Sequence, residues 1–221
     1  LARFEFMPRG RVRVIYNGIK GLIRDPQASL RIRSELSIPP DALVFGTVSR
    51  LDPVKNQEMM IRAFHKHHAD YPQSFLLMVG DGPERQNLEQ LVSKLGLDAN
   101  VVFTGFISQP SHHLAAMDVF LLSSFTEGTS MTLLEAMSLD IPAIATAVGG
   151  NGEIVVDQVT GLLTPNNDAD AFSAAMTTVA DDKTFASELG LNAKLRFTKY
   201  YSADAMAQQY LCQYKQLSGV H

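Results

Sequence analysis

The residues best suited to do chemistry are two carboxylates and two cations that follow different apolar runs. Glu127 and Glu135 stand eight residues apart in T-E-G-T-S-M-T-L-L-E-A-M (126–137), with one glycine and three hydroxyl residues between them. Thr129 or Ser130 suits a helix N-cap, and Gly128 permits close backbone approach or positive φ. Free N–H groups at Ser130, Met131 and Thr132 then make a helix end that accepts an anion. Glu135 falls about 7–8 Å further down the axis. Its carboxylate can reach a polyol around the first turn while Glu127 approaches from the loop. The plainer alternative is an exposed acid favoured by the helix dipole.

Arg50 and Lys55 lie in S-R-L-D-P-V-K-N (49–56). Asp52 suits an N-cap and Pro53 the first helical position, which puts Arg50 in a loop and Lys55 in the first helical turn. Cations normally avoid the positive end of a helix. Two of them there suit a multiply charged anion; solvated surface residues are the alternative. Asp81, in G-D-G-P-E-R (80–85), sits in turn chemistry that leads into a helix. Phe106 and Ile107 follow Gly105. Core packing is the commoner role for such a phenylalanine, and a wall for a flat base is the other. V-G-G-N-G-E (148–153) is read as a flexible glycine loop near the same rim.

Other clusters carry less. His65 and His68 share a helix face, and His112 adjoins His113, but neither pair has a cysteine or carboxylate at metal-ligand spacing. No metal site is expected. The single cysteine, Cys212, excludes an internal disulfide and fits a reducing compartment.

These residues need a scaffold, and the apolar pattern supplies one. Strands are expected over 42–48, 75–79, 101–104, 119–122 and 143–146. Helices are expected over 55–69, 84–95, 111–117 and about 130–139. A small element follows at 161–165, then three helices ending near Leu217. Runs this apolar, alternating with helices, imply a parallel sheet covered on both faces, an α/β doubly wound Rossmann-like fold. Its ligands bind beyond the carboxyl ends of the strands, where the named residues fall. No G-x-G-x-x-G follows the first run and no G-x-x-x-x-G-K-[ST] occurs, which excludes the common dinucleotide and P-loop chemistries.

The chain has 221 residues, 46% of them apolar, and a net charge of −4. That excludes a disordered chain and gives no electrostatic ground for nucleic-acid binding. No apolar run approaches the roughly 20 residues of a membrane-spanning helix. The opening L-A-R-F-E-F-M-P-R-G has no signal-peptide core and reads as the middle of a longer protein.

In order and with spacing intact, the chain resembles the family 4 glycosyltransferases of the GT-B fold, in their C-terminal, nucleotide-sugar-binding half. The matching stretches are V-I-Y-N-G-I (14–19), G-T-V-S-R-L-D-P-V-K-N (46–56), V-G-D-G-P-E-R (79–85) and V-V-F-T-G-F (101–106). They continue through D-V-F-L-L-S-S (118–124), E-G-T-S-M-T-L-L-E-A-M (127–137), P-A-I-A-T-A-V-G-G (142–150) and G-L-L-T-P (161–165). Thr129-Ser130 departs from the family's frequent aromatic-proline pair.

The resemblance implies that Arg50 and Lys55 bind a diphosphate. It implies that Glu127 meets hydroxyls of the transferred sugar and Glu135 the ribose. The backbone of Gly128, Thr129, Ser130, Met131 and Thr132 would meet phosphate or sugar, with Asp81, Phe106 and Ile107 near the base. It further implies a UDP- or GDP-linked donor, no required metal or other cofactor, and transfer with retention of anomeric configuration. A glycan or lipid-linked acceptor would be held by an N-terminal domain this chain lacks. Residues 1–40 are then an N-terminal stub and connection, and 41–221 the donor domain with C-terminal helices. The isolated half is expected to bind nucleotide and to transfer sugar weakly or not at all. A cytoplasmic location fits, with the parent protein peripheral to the inner face of a membrane. A GT-B nucleotide-sugar 2-epimerase and a non-catalytic nucleotide-sugar-binding module are the alternatives.

Overall fold

In a computed structural model that describes residues 13–218, six apolar runs pair in parallel as one sheet. The strands are β1 (Val44–Val48), β2 (Phe75–Val79), β3 (Val101–Gly105), β4 (Val119–Leu122), β5 (Ala143–Thr146) and β6 (Gly161–Thr164). Every residue of β1, β2, β4 and β5 is buried. That explains why these runs read as continuously apolar rather than alternating. Side chains of β1 feed two cores: Val44 and Val48 pack with Leu133 and Leu134, while Phe45 packs with Phe64 on the other face. The doubly wound α/β expectation therefore holds. The small element at 161–165 is a sixth strand, paired with β5 from Ala143↔Gly161 to Thr146↔Thr164.

The order β3-β2-β1-β4-β5-β6 places β1 beside both β2 and β4. Connections run to one side of β1 through β3 and to the other side from β4 onward. The loops after β1 and β4 consequently diverge around a crevice at the carboxyl ends, the usual ligand position in such sheets. The helices are α1 (Pro26–Glu35), α2 (Gln57–Asp70), α3 (Arg85–Lys94), α4 (Ser111–Ala115), α5 (Met131–Ser138), α6 (Asn151–Ile154), α7 (Ala169–Asp181), α8 (Lys183–Tyr200) and α9 (Ala203–Ser218).

The first crossover differs from its sequence reading. Asp52 does cap, accepting from Val54 N–H at 3.2 Å, but Pro53–Lys55 form a separate 3-10 turn. Asn56 breaks it in the left-handed region (φ 50°) before α2 starts at Gln57. Lys55 therefore ends a turn and does not occupy the first turn of α2. Residues 151–153, read as part of a glycine loop, join Ile154 in the single helical turn α6.

Within residues 1–40, α1 is pinned to the sheet's opposite rim. Arg33, 7% exposed, bonds the carbonyls of Ala116 and Ala42 and pairs with Asp118 at 2.8 Å. The Tyr16–Ile19 segment lies along the α8–α9 junction through Ile19 N–H to Tyr201 O (2.9 Å) and Ala203 N–H to Ile19 O (2.9 Å). Residues 1–12, with the start of the N-terminal stub, lie outside the described residues.

Candidate functional site

Backbone bonds continue past the strands and shape the rim. Ser49 N–H donates to Val79 O and Leu51 N–H to Asp81 O, each at 3.0 Å, carrying the loop after β1 alongside the loop after β2. Ser123 Oγ, at the end of β4, donates to the carbonyls of Lys55 (2.8 Å) and Asn56 (3.0 Å). The 3-10 turn is thereby fastened to the strand that precedes Glu127.

That fastening brings two of the named residues together. Lys55 Nζ lies 2.7 Å from Glu127 Oε1, with side-chain exposures of 26% and 8%. Ser124 Oγ donates to the same carboxylate oxygen at 2.5 Å and is itself fully buried. Behind it, Thr146 Oγ1 donates to Ser124 O at 2.7 Å, and Asn151 Nδ2 to Thr146 O at 3.0 Å. Glu127 is thus a braced carboxylate, not a free surface acid. Arg50 is 69% exposed at its side chain and paired with Asp52 at 2.6 Å. Solvent weakens that pair, so the guanidinium is available to an incoming anion.

The glycine stretch also differs from its reading. Gly149 (φ 48°) sits so close to Glu127 that a Cβ would fall 1.9 Å from Glu127 O, and one at Gly150 would fall 2.1 Å from Gly128 O. Gly150 N–H donates to Glu127 O at 3.1 Å. These two glycines let the β5 loop pack against the backbone of Glu127 and Gly128. A Cβ at Gly128 itself would point into open space.

Ser130, not Thr129, caps α5, its Oγ accepting from Leu133 N–H at 3.4 Å. The N–H groups of Met131 and Thr132 head the helix, and Thr132 and Glu135 share a helix face by their three-residue spacing. Glu135 is half-buried, and burial pushes its carboxyl above the ordinary range. Its carboxylate has no hydrogen-bond or ion-pair partner among the described residues.

A cleft of about 370 Å³ opens on this rim, lined by Ser49, Arg50, Asp81, Phe106, Ile107 and Thr132 among others. Phe106 is 78% exposed. The core-packing reading fails for it, because Gly105 (φ 72°) turns the chain out of the sheet just before it. Asp81 caps its own turn, accepting from Gly82 N–H at 2.8 Å, and pairs with Arg85 at 3.2 Å. The cleft gathers Arg50, Asp81, Phe106, Ile107 and Thr132, while Lys55 and Glu127 meet each other beside the loop after β4. Sequence reasoning missed Ser124, Gly149 and Gly150. Only the G-G pair after a strand offered a signal, and it reads equally well as flexibility.

His67 belongs to packing. His67 is 1% exposed, bonded through Nδ1 to Thr177 Oγ1 (3.2 Å) and through Nε2 to Ser74 Oγ (3.1 Å). It stacks on Tyr71 at 4.6 Å, and burial lowers its pKa to about 4.

A doubly wound parallel domain with cations, acids and a helix N-terminus at its switch point is a Rossmann-like domain of the nucleotide-binding class. The chain belongs to the glycosyl transferases group 1 family, which it matches over residues 29–206. It is 34% identical over 177 residues to the GDP-mannose-dependent alpha-(1-6)-phosphatidylinositol monomannoside mannosyltransferase of Mycolicibacterium smegmatis, covering 76% of this chain and 46% of that protein. It is 32% identical over 145 residues to the O-antigen biosynthesis glycosyltransferase WclY of Escherichia coli, covering 66% of this chain and 40% of that protein. Anabaena Alr3699/HepE, solved in complex with UDP, superposes with a TM-score of 0.84 at 27% identity, over 94% of this chain and 57% of its own. The chain spans about half the length of the relatives it matches.

Proposed function

We propose that this chain is the donor-binding half of a retaining glycosyltransferase that takes a UDP- or GDP-linked sugar. The observation that carries the reading is the Lys55–Glu127 pair at 2.7 Å, braced by Ser124, beside a cleft that Arg50, Phe106 and Thr132 line. A nucleoside diphosphate sugar has the matching chemistry: a dianionic bridge, polyols on both sides of it, and a flat base.

Breaking the anomeric C–O bond leaves negative charge on the diphosphate and positive charge on the sugar. Arg50, Lys55 and the N–H groups of Met131 and Thr132 stabilise the departing charge, so no metal is required for that task. Glu127, fixed through one oxygen, orients the sugar with the other. Glu135 accepts from the ribose hydroxyls, and its lack of a protein partner suits that role. The backbone from Gly128 to Ser130 approaches sugar or phosphate, and Asp81, Phe106 and Ile107 flank the base.

The acceptor, a glycan or lipid-linked saccharide, is held by an N-terminal domain beyond this chain, and the half alone transfers weakly or not at all. The work is done in the cytoplasm, with the parent protein peripheral to the inner face of the membrane. No helix of the described residues is long and apolar enough to cross one. The names of the relatives favour transfer over isomerisation.

A thermal-shift panel of UDP-, GDP- and ADP-sugars tests the reading. A true donor at about a hundredfold excess over Kd adds about 2.7 kcal/mol of stability. No shift with any of the three overturns it.

A further inference from the structure

A second, larger cavity of about 530 Å³ opens on the same rim, on the far side of the loop after β1. Arg50 lines the first cleft; its ion-pair partner Asp52 lines the second. The volume lies within the roughly 300–1,000 Å³ range of small-molecule sites. We infer that this cavity is a saccharide subsite, separate from the donor cleft, that holds one or more sugar units of the working glycan remote from the reacting end, which the N-terminal domain would hold. Sugar binding there does not rest on the transfer reading; only the identification of that sugar with the working glycan does.

Three features point to a neutral polyol. Gln57 is 2% exposed and lines the cavity. Its Nε2 donates to Ser49 Oγ (3.0 Å) and to Arg50 O (2.9 Å). A carbonyl can only accept, which fixes the amide orientation and leaves Oε1 without a partner among the described residues. Asn56, 8% exposed, donates through Nδ2 to Asn167 Oδ1 at 3.1 Å and likewise keeps its own Oδ1 unpaired. Neither oxygen is sealed off from solvent, so each faces the cavity and can accept from a hydroxyl there.

The lining sets Asp52, Glu58 and Glu84 against Arg62, which disfavours an anionic ligand and leaves acceptors for hydroxyls. Asp52 is already paired with Arg50, and Glu58 with Arg62 at 2.8 Å. Glu84 alone has no cationic partner; its Oε2 accepts from Asn87 Nδ2 at 3.1 Å. Glu84 therefore keeps one carboxylate oxygen free to accept from a hydroxyl. The third feature is Phe125, 43% exposed on the cavity wall and held in place by its N–H to Val54 O at 2.9 Å. A partly exposed aromatic ring beside spare acceptors gives the apolar face and polar edge that a pyranose ring presents in reverse. Gln57 also ties the two cavities together, because the same amide braces Ser49 and the backbone of Arg50.

The test is saturation-transfer NMR on the 221-residue chain with maltotriose, cellotriose and mannotriose, each with and without saturating UDP or GDP. At least one trisaccharide is expected to bind saturably in the millimolar range, and to keep binding with the nucleotide present. Phe125→Ala and Glu84→Gln should each weaken it roughly tenfold while keeping the thermal shift given by nucleotide. If Phe125→Ala does not fold, Glu84→Gln carries the comparison. The inference is overturned if no trisaccharide saturates, if nucleotide displaces the sugar, if both variants bind as tightly as the wild type, or if spermidine displaces the sugar. Nucleotide protection on the same samples separates its failure from failure of the donor reading.

Discussion

Lys55 Nζ sits 2.7 Å from Glu127 Oε1 and joins the turn after β1 to the loop after β4, across the point where the strand order reverses. A cation and an acid 72 residues apart in sequence thus become one unit. Each group prepares the other: the acid holds the ammonium at the rim, and the ammonium compensates a carboxylate that is largely withdrawn from water.

Lys55→Met should therefore cost both stability and binding. Removing the cation leaves a buried carboxylate without its partner, a loss of about 1–3 kcal/mol in urea unfolding. Glu127→Gln in the same background should recover much of that loss, giving a coupling of about 0.5–3 kcal/mol in a double-mutant cycle. In the full-length enzyme, either single change should lower kcat by roughly 10²–10³-fold. A coupling near zero would mean that the pair does not act as a unit.

Glu135 should show the opposite sign on stability. Burial lifts its carboxyl above the ordinary 4.5, so the folded state binds its proton more tightly than the unfolded chain does. Stability from this group is present below pH 4.5 and is lost as pH rises through the raised pKa. Glu135→Gln removes that penalty. The variant should equal or exceed wild-type stability at neutral pH, the two should converge below pH 4.5, and nucleotide-sugar binding should weaken. Urea melts at several pH values, paired with donor titrations, check both halves.

His67 sets a separate acid limit. Its folded pKa of about 4 lies below the ordinary 6.5, because burial disfavours the charged ring. The unfolded chain binds the proton first, so its contribution is full above pH 6.5 and is lost as pH falls towards 4. The loss over that window is about 3 kcal/mol. His67→Gln should be less stable at pH 7, through the bonds to Thr177 and Ser74, yet flatter between pH 6.5 and 4.

The legible part of this protein was its period and punctuation. Apolar runs separated by helical spacing gave the doubly wound sheet, and the hydroxyl before Met131 gave the start of α5. What stayed hidden depends on contacts distant in sequence. Nothing local says that Asn56 takes a left-handed conformation and splits a 3-10 turn from α2, nor that Lys55 consequently reaches Glu127. Phe106 could not be assigned from its type, because exposure is set by the turn at Gly105. Ser124 is one hydroxyl among several until the fold places it beneath a carboxylate. Gly149 and Gly150 looked like freedom, and the structure uses them for contact.

That contrast among glycines makes the sharpest substitution test of the site. Gly149→Ala must place a Cβ 1.9 Å from Glu127 O in a left-handed backbone, so the β5 loop or the Glu127 backbone has to move. The backbone strain alone is about 1–2 kcal/mol, and the displaced Glu127 should lose donor binding as well. Gly128→Ala meets open space and should change stability by no more than about 1 kcal/mol. If a sugar or phosphate approaches the backbone at Gly128 as closely as proposed, this quiet variant should still bind the nucleotide sugar more weakly while binding the free nucleoside normally. Calorimetric titration with both ligands separates the cases. Equal affinity of Gly128→Ala and wild type for the nucleotide sugar would place the ligand away from this backbone and move the sugar off Glu127.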